Sequence, residues 1–98
     1  MSLNAERKAE MVQSLKKDYI VLTEIVIEVV ADTSADMHVL KWENQQPPEL
    51  EQDKKHLIGL KETYLSLYKT EPEKAVDIIE QIYEISEKYN KLRMEKGL

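Results

Sequence analysis

The sequence predicts an all-α fold, an antiparallel bundle of three long helices. Three observations carry this. Apolar residues recur at alternating spacings of three and four through three separate segments, the signature of helices with one buried face. Only two glycines and three prolines punctuate the 98 residues, too few for the many turns of a β sandwich. The charged fraction of 34% exceeds the usual quarter while the hydrophobic fraction is 42%, a balance that suits amphipathic helices with solvated outer faces. The length gives one domain over residues 1–98, large enough for a core but marginal as a lone monomer. Met1-Ser2-Leu3 has the look of an expression scar and is left out of the fold reading.

The first segment contains Tyr19-Ile-Val-Leu-Thr-Glu-Ile-Val-Ile-Glu-Val-Val30, in which seven of twelve residues are Val or Ile. Such residues favour strands, but Glu24 and Glu28 spoil a period of two, and twelve residues is long for a strand. At about 100° per residue, Val12, Leu15, Tyr19, Leu22, Val26 and Val29 form one seam, opposite Lys17, Glu24, Glu28 and Ala31. The segment is a helix whose apolar arc is wider than its seam. The two glutamates and the length exclude a membrane span.

Asp32-Thr33-Ser34-Ala35-Asp36 follows, rich in side chains that compete for backbone hydrogen bonds. A kink or split of the first helix near 31–36 is expected there, giving a fourth helix. An unbroken helix over 5–43 would run roughly 58 Å. The apolar pattern resumes at Met37 and Leu40 and ends at Trp42. Residues 44–47 form a linker, with Pro48 placed for the first turn of a second helix. Its inner stripe is Leu50, Leu57, Leu60, Tyr64 and Leu67. A tight turn is expected at 69–71, where Thr70-Glu71-Pro72-Glu73 has the capping-box pattern with Thr70 at the cap. The last helix carries Ala75, Ile78, Ile82, Ile85, Tyr89 and Leu92 inward, with Ile79 and Tyr83 widening the face, and Gly97 suits its stop.

Composition narrows the function classes. Net charge is −5, with the fourteen basic residues interleaved with acids, so nucleic acid lacks the clustered positive charge it requires. There is no cysteine, which removes disulfides and thiolate metal sites. No signal peptide or long apolar run is visible, and a cytoplasmic location is expected, with no membrane partner. His38 and His56 are the two histidines; Asp53-x-x-His56 is a lone, loose match to the motifs of a di-iron bundle, which would need two such motifs and two further glutamates. No cofactor, metal site or catalytic residue is assigned.

Glu24, Glu28 and Asp32 step along one helix face, and Asp77, Glu80, Glu84 and Glu87 make a second row. This pattern resembles the all-α nucleotide pyrophosphatases, which would imply Mg²⁺ held between facing carboxylates. The doubled glutamate and a clear second motif are missing. Trp42-Glu43-Asn44 is similar to the Trp-x-Gly turn of the small secreted helix hairpins of type VII systems, without its glycine.

The expectation is therefore a non-enzymatic helical module for protein–protein interaction that forms a homodimer and binds another protein. The alternative is a Mg²⁺-dependent all-α nucleotide phosphohydrolase using helix-borne carboxylates. The candidate interface is Ile20, Val21, Ile27, Val30 and Trp42. Leaving the isoleucines and valines in water would forgo roughly 1.5–3 kcal/mol each and make an apolar patch that soluble monomers seldom carry. A two-fold dimer is the commonest cover. In a competing arrangement, residues 35–43 fold back so that Met37, Leu40 and Trp42 cover the patch.

Overall fold

The computed structural model describes residues 3–98 and contains four α-helices: α1 (Ala5–Lys17), α2 (Tyr19–Trp42), α3 (Leu50–Leu67) and α4 (Pro72–Glu95). Met1 and Ser2 lie outside the described residues. The all-helical bundle is as the apolar spacings require, but the first segment divides elsewhere than expected. α2 runs unbroken through 31–36, and the division falls at Asp18.

Physical chemistry accounts for both positions. Asp18 has an extended backbone (φ −158°, ψ 103°) and its carboxylate accepts the backbone N–H of Ile20 at 3.0 Å, capping α2. Lys16 and Lys17 occupy the last turn of α1, where positive charge suits the dipole. The polar residues of 31–36 find partners without opening the helix. The Thr33 hydroxyl donates to the Val29 carbonyl one turn back, at 2.7 Å. Asp36 accepts from the Arg93 guanidinium on α4 at 2.8 Å.

The division lets α1 turn back alongside the first half of α2, with Met11 and Leu15 in the core. Ion pairs fix its direction against α4: Lys8 lies 3.0 Å from Glu80 and Lys16 lies 3.7 Å from Glu73. The Leu3 backbone N–H donates to Glu80 at 2.9 Å. α1 is thus antiparallel to α4. α2 runs in the same direction as α4, with Asp36 meeting Arg93 and Val29 lying near Tyr83. α3 runs opposite to both, with Lys41 of α2 2.6 Å from Glu51 and Lys88 of α4 2.6 Å from Asp53.

α4 packs on all three other helices, while α1 and α3 flank the α2–α4 pair without packing on each other. The valine-rich α2 also packs on all three others, so α2 and α4 together form the centre of the bundle. The α4 face is wide, as expected, with Ile79 buried beside Ala75, Ile82, Ile85 and Tyr89, and Val76 joins it unforeseen. The long dimension of the molecule is 43 Å, shorter than a single helix over 5–43 would be.

The ends of the long helices follow from particular residues. α2 stops with Asn44 in the left-handed region (φ 56°), and Gln45 N–H returns to the Leu40 carbonyl at 2.8 Å. Gly97 (φ 69°) ends α4 the same way, with Leu98 N–H bonded to the Arg93 carbonyl at 3.0 Å. Both starts after the loops differ from expectation. α3 begins at Leu50, because Pro47 and Pro48 lie in the turn before it and Glu49 is the cap. α4 begins at Pro72 after a turn over 68–70, with Glu71 as its cap and no side-chain capping bond. Thr70 is one residue too early to close the capping box.

Candidate functional site

The bundle leaves the outer face of α2 open. The inner face of α2 (Leu22, Val26, Val30, Met37, Leu40) is buried, with Thr33 and Asp36 among these residues. On the other side, Ile20 is 52% exposed, Val21 58% and Ile27 46%. Ile25 and Tyr19 are also partly exposed. At the C-terminal end Trp42 stands out from the helix, 83% exposed.

Four of the five residues assigned to an interface from sequence thus lie on open surface. Val30 does not. It is 5% exposed and belongs to the core, because the division at Asp18 sets α3 and α4 against a face of α2 rotated from the regular seam. Tyr19, at the first position of α2, is partly exposed, and there its ring meets Tyr68 at 5.0 Å between centroids and the Lys69 ammonium lies 5.2 Å above it. Residues 35–43 do not fold back. They extend α2, and Trp42 covers nothing.

On a helical grid the outer stripe comprises Ile20, Glu24, Ile27, Ala31, Ala35, His38 and Trp42, all exposed. Glu28 and Asp32 lie along its edge towards α1. Arg7 of α1 reaches that edge, lining both the cleft beside Val21 and Ile25 and the larger groove beside Val29. His38, Lys41 and Trp42 frame an open hollow at the other end of the stripe. The surface is therefore apolar with acidic edges, Glu24, Glu28, Asp32 and Glu43 being exposed along it, and Lys41 beside its far end is already bonded to Glu51. Ala31 and Ala35 were missed as members of it, since small residues leave no mark in an apolar count.

The carboxylate rows are not brought together. Glu24, Glu28 and Asp32 are exposed on the open side of α2, whereas Asp77 and Glu80 of α4 pair with Lys8 of α1 at 3.3 and 3.0 Å. Among the described residues, no three His, Asp or Glu side chains converge as a metal ion would require. None of the described helices is long and apolar enough to cross a membrane.

Asp53, noted in sequence for its spacing to His56, turns out to join α3 to α4. Its Oδ2 accepts from the Tyr89 hydroxyl and from the Lys88 ammonium, each at 2.6 Å. His56 is exposed. Partial burial alone would raise the Asp53 carboxyl, but the bonds from Lys88 and Tyr89 outweigh it and hold the group below its ordinary value. The same arrangement, burial first and the adjacent carboxylate second, pushes the Tyr89 phenol well up. No spacing in the sequence announces this cluster, since the partners lie 35 and 36 residues apart.

A depressed carboxyl stabilises the fold above its unfolded value, and the contribution is lost as pH falls through the folded value. Asp53→Ala is expected to cost about 1–2 kcal/mol at neutral pH, because the Tyr89 hydroxyl and the Lys88 ammonium both lose their acceptor. The gap between variant and wild type should close as pH drops below about 3.9. Urea midpoints from pH 7 downward measure it; a gap independent of pH would contradict the role given to the carboxylate.

Comparison of the chain with protein-family models, with curated proteins and with solved structures found no match. What class of protein this is must be argued from the α2 surface itself.

Proposed function

We propose that this protein is a helical protein–protein interaction module that acts by association, first with a second copy of itself and then with another protein. The observation that carries this reading is the run of exposed Ile20, Val21, Ile27 and Trp42 along one face of α2. Isolated exposed leucines or methionines need no explanation, and the exposed Leu65 and Met94 are of that kind. The cluster of Tyr19, Ile20, Val21, Ile25 and Ile27 on the first half of α2 is different, because soluble monomers seldom leave so many neighbouring large apolar side chains open. Trp42 adds to it, since tryptophan is the residue type most enriched among interface hot spots.

An Mg²⁺-dependent phosphohydrolase would need carboxylates gathered about one ion. The separation of the two acidic rows on this chain gives that reading no support. The interaction reading accounts for the same acids as the solvated rim of a contact surface.

Sedimentation velocity from about 1 to about 100 μM tests the proposal. A single helix face is at the small end of specific interfaces, under about 1,200 Å² in total, so reversible dimerisation in the micromolar range is expected. A species that remains at 11.5 kDa throughout, with no protein captured, would overturn it.

A further inference from the structure

We infer that two copies pair antiparallel through α2, about a two-fold axis at Ala31 that sets Trp42 of each copy on Ile20 of the other. This inference rests on the self-association proposed above and adds the direction and register of the pair.

The stripe carries its own symmetry. Its members, Ile20, Glu24, Ile27, Ala31, Ala35, His38 and Trp42, follow spacings of four, three, four, four, three and four, which read the same in both directions from Ala31. An antiparallel partner centred there meets the stripe with reversed order. Ile20 then faces the partner's Trp42, Glu24 the partner's His38, and Ile27 the partner's Ala35. At the centre, Ala31 faces its own counterpart.

Each of these pairs is complementary. The large Ile27 meets a small Ala35, and two alanines at the axis allow a close helix approach of about 8 Å, the lower end of the usual range. The Glu24 carboxylate meets an imidazole that can donate to it. Trp42, fully available in the single chain, gains an apolar seat at both ends of the contact. A parallel two-fold pair would instead set Glu24 against Glu24 within the contact, the like-charge opposition that interfaces avoid. In the antiparallel pair the exposed Glu28 and Asp32 of one copy lie on the same rim as those of the other, near the axis, and this like charge stays in solvent outside the contact.

The chain has no cysteine, so single introduced thiols report the register without background. Under mild oxidation at a concentration where sedimentation shows dimer, Ala31→Cys is expected to cross-link to itself. Ala35→Cys is not, because the two sites lie about 12 Å apart along the helices, beyond the roughly 7 Å Cα separation a disulfide spans. An equal mixture of Ile27→Cys and Ala35→Cys should link, since these face each other. A second readout is charge exchange: Glu24→Lys should weaken dimerisation roughly tenfold, and Glu24→Lys/His38→Glu should restore it. Circular dichroism confirms that each variant keeps its helix content.

Self-linking of both Ala31→Cys and Ala35→Cys would overturn the antiparallel register in favour of a parallel one. A sedimenting dimer in which Ala31→Cys does not link would overturn the register while leaving self-association standing. A monomer at every concentration would remove both.

Discussion

Ile79→Ala should lower the unfolding free energy by about 3 kcal/mol, within the roughly 2–5 kcal/mol range for truncating a buried isoleucine to alanine. Ile79 is fully buried in α4, the helix against which α1, α2 and α3 all pack. The cavity left there cannot be filled by moving one neighbour, because each neighbour is also held by the others. For a domain of this size the loss corresponds to about 12–20 °C in Tm. Leu65→Ala, on the exposed side of α3, should cost less than about 1 kcal/mol. Thermal unfolding at fixed protein concentration measures both, and equal losses at the two positions would contradict the placement of Ile79 in the core and Leu65 on the surface.

Ile20→Lys/Ile27→Lys should leave the folded monomer intact while shifting the dimer dissociation constant by about a hundredfold or more. Both side chains project from α2 into solvent in the single chain, so lysine at these positions costs the monomer little, within about 0.5 kcal/mol for ordinary surface sites. In the dimer the same lysines would be buried without partners, once in each copy, which costs several kcal/mol in total. Unchanged thermal stability at low concentration combined with lost association is the expected pair of results. If association persists, the contact lies on another surface.

How much of this was legible in the sequence can be judged from particular positions. The inner faces of α3 and α4 were, because their apolar residues recur at helical spacing and polar residues fill the opposite side. Gly97 marked a helix end for a backbone reason that holds wherever the chain goes. The division of the first segment was misplaced because two acidic stretches compete, and composition cannot weigh them. Thr33 and Asp36 look like breakers until Val29 and Arg93 are seen to take their hydrogen bonds, and the Arg93 contact spans 57 residues. Asp18 after Lys16-Lys17 was in fact the stronger signal, a basic last turn followed by a capping aspartate.

The candidate surface was legible in the same measure. Excess apolar residues on α2 announced open surface at Ile20, Val21 and Ile27, since no seam of one bundle could cover them. Val30 was assigned wrongly, because a shift of the chain's contact face by part of a turn moves a flanking residue into the core. Trp42 was ambiguous in sequence between closing the bundle and standing free, and its place at the end of an unbroken α2 resolves it. Ala31 and Ala35 acquire meaning only once the helix is known to be continuous through them.

Because Trp42 is the only tryptophan and stands at the end of the outer α2 stripe, its emission tests association and location together. Spectra recorded across a dilution series from about 100 to about 1 μM should show an indole in apolar surroundings at the high end, moving to that of a water-exposed indole on dilution. Ile20→Lys/Ile27→Lys should give the water-exposed spectrum throughout. An exposed-indole spectrum for the wild type at every concentration, including those where sedimentation shows a dimer, would contradict the claim that the outer face of α2 is where this protein associates.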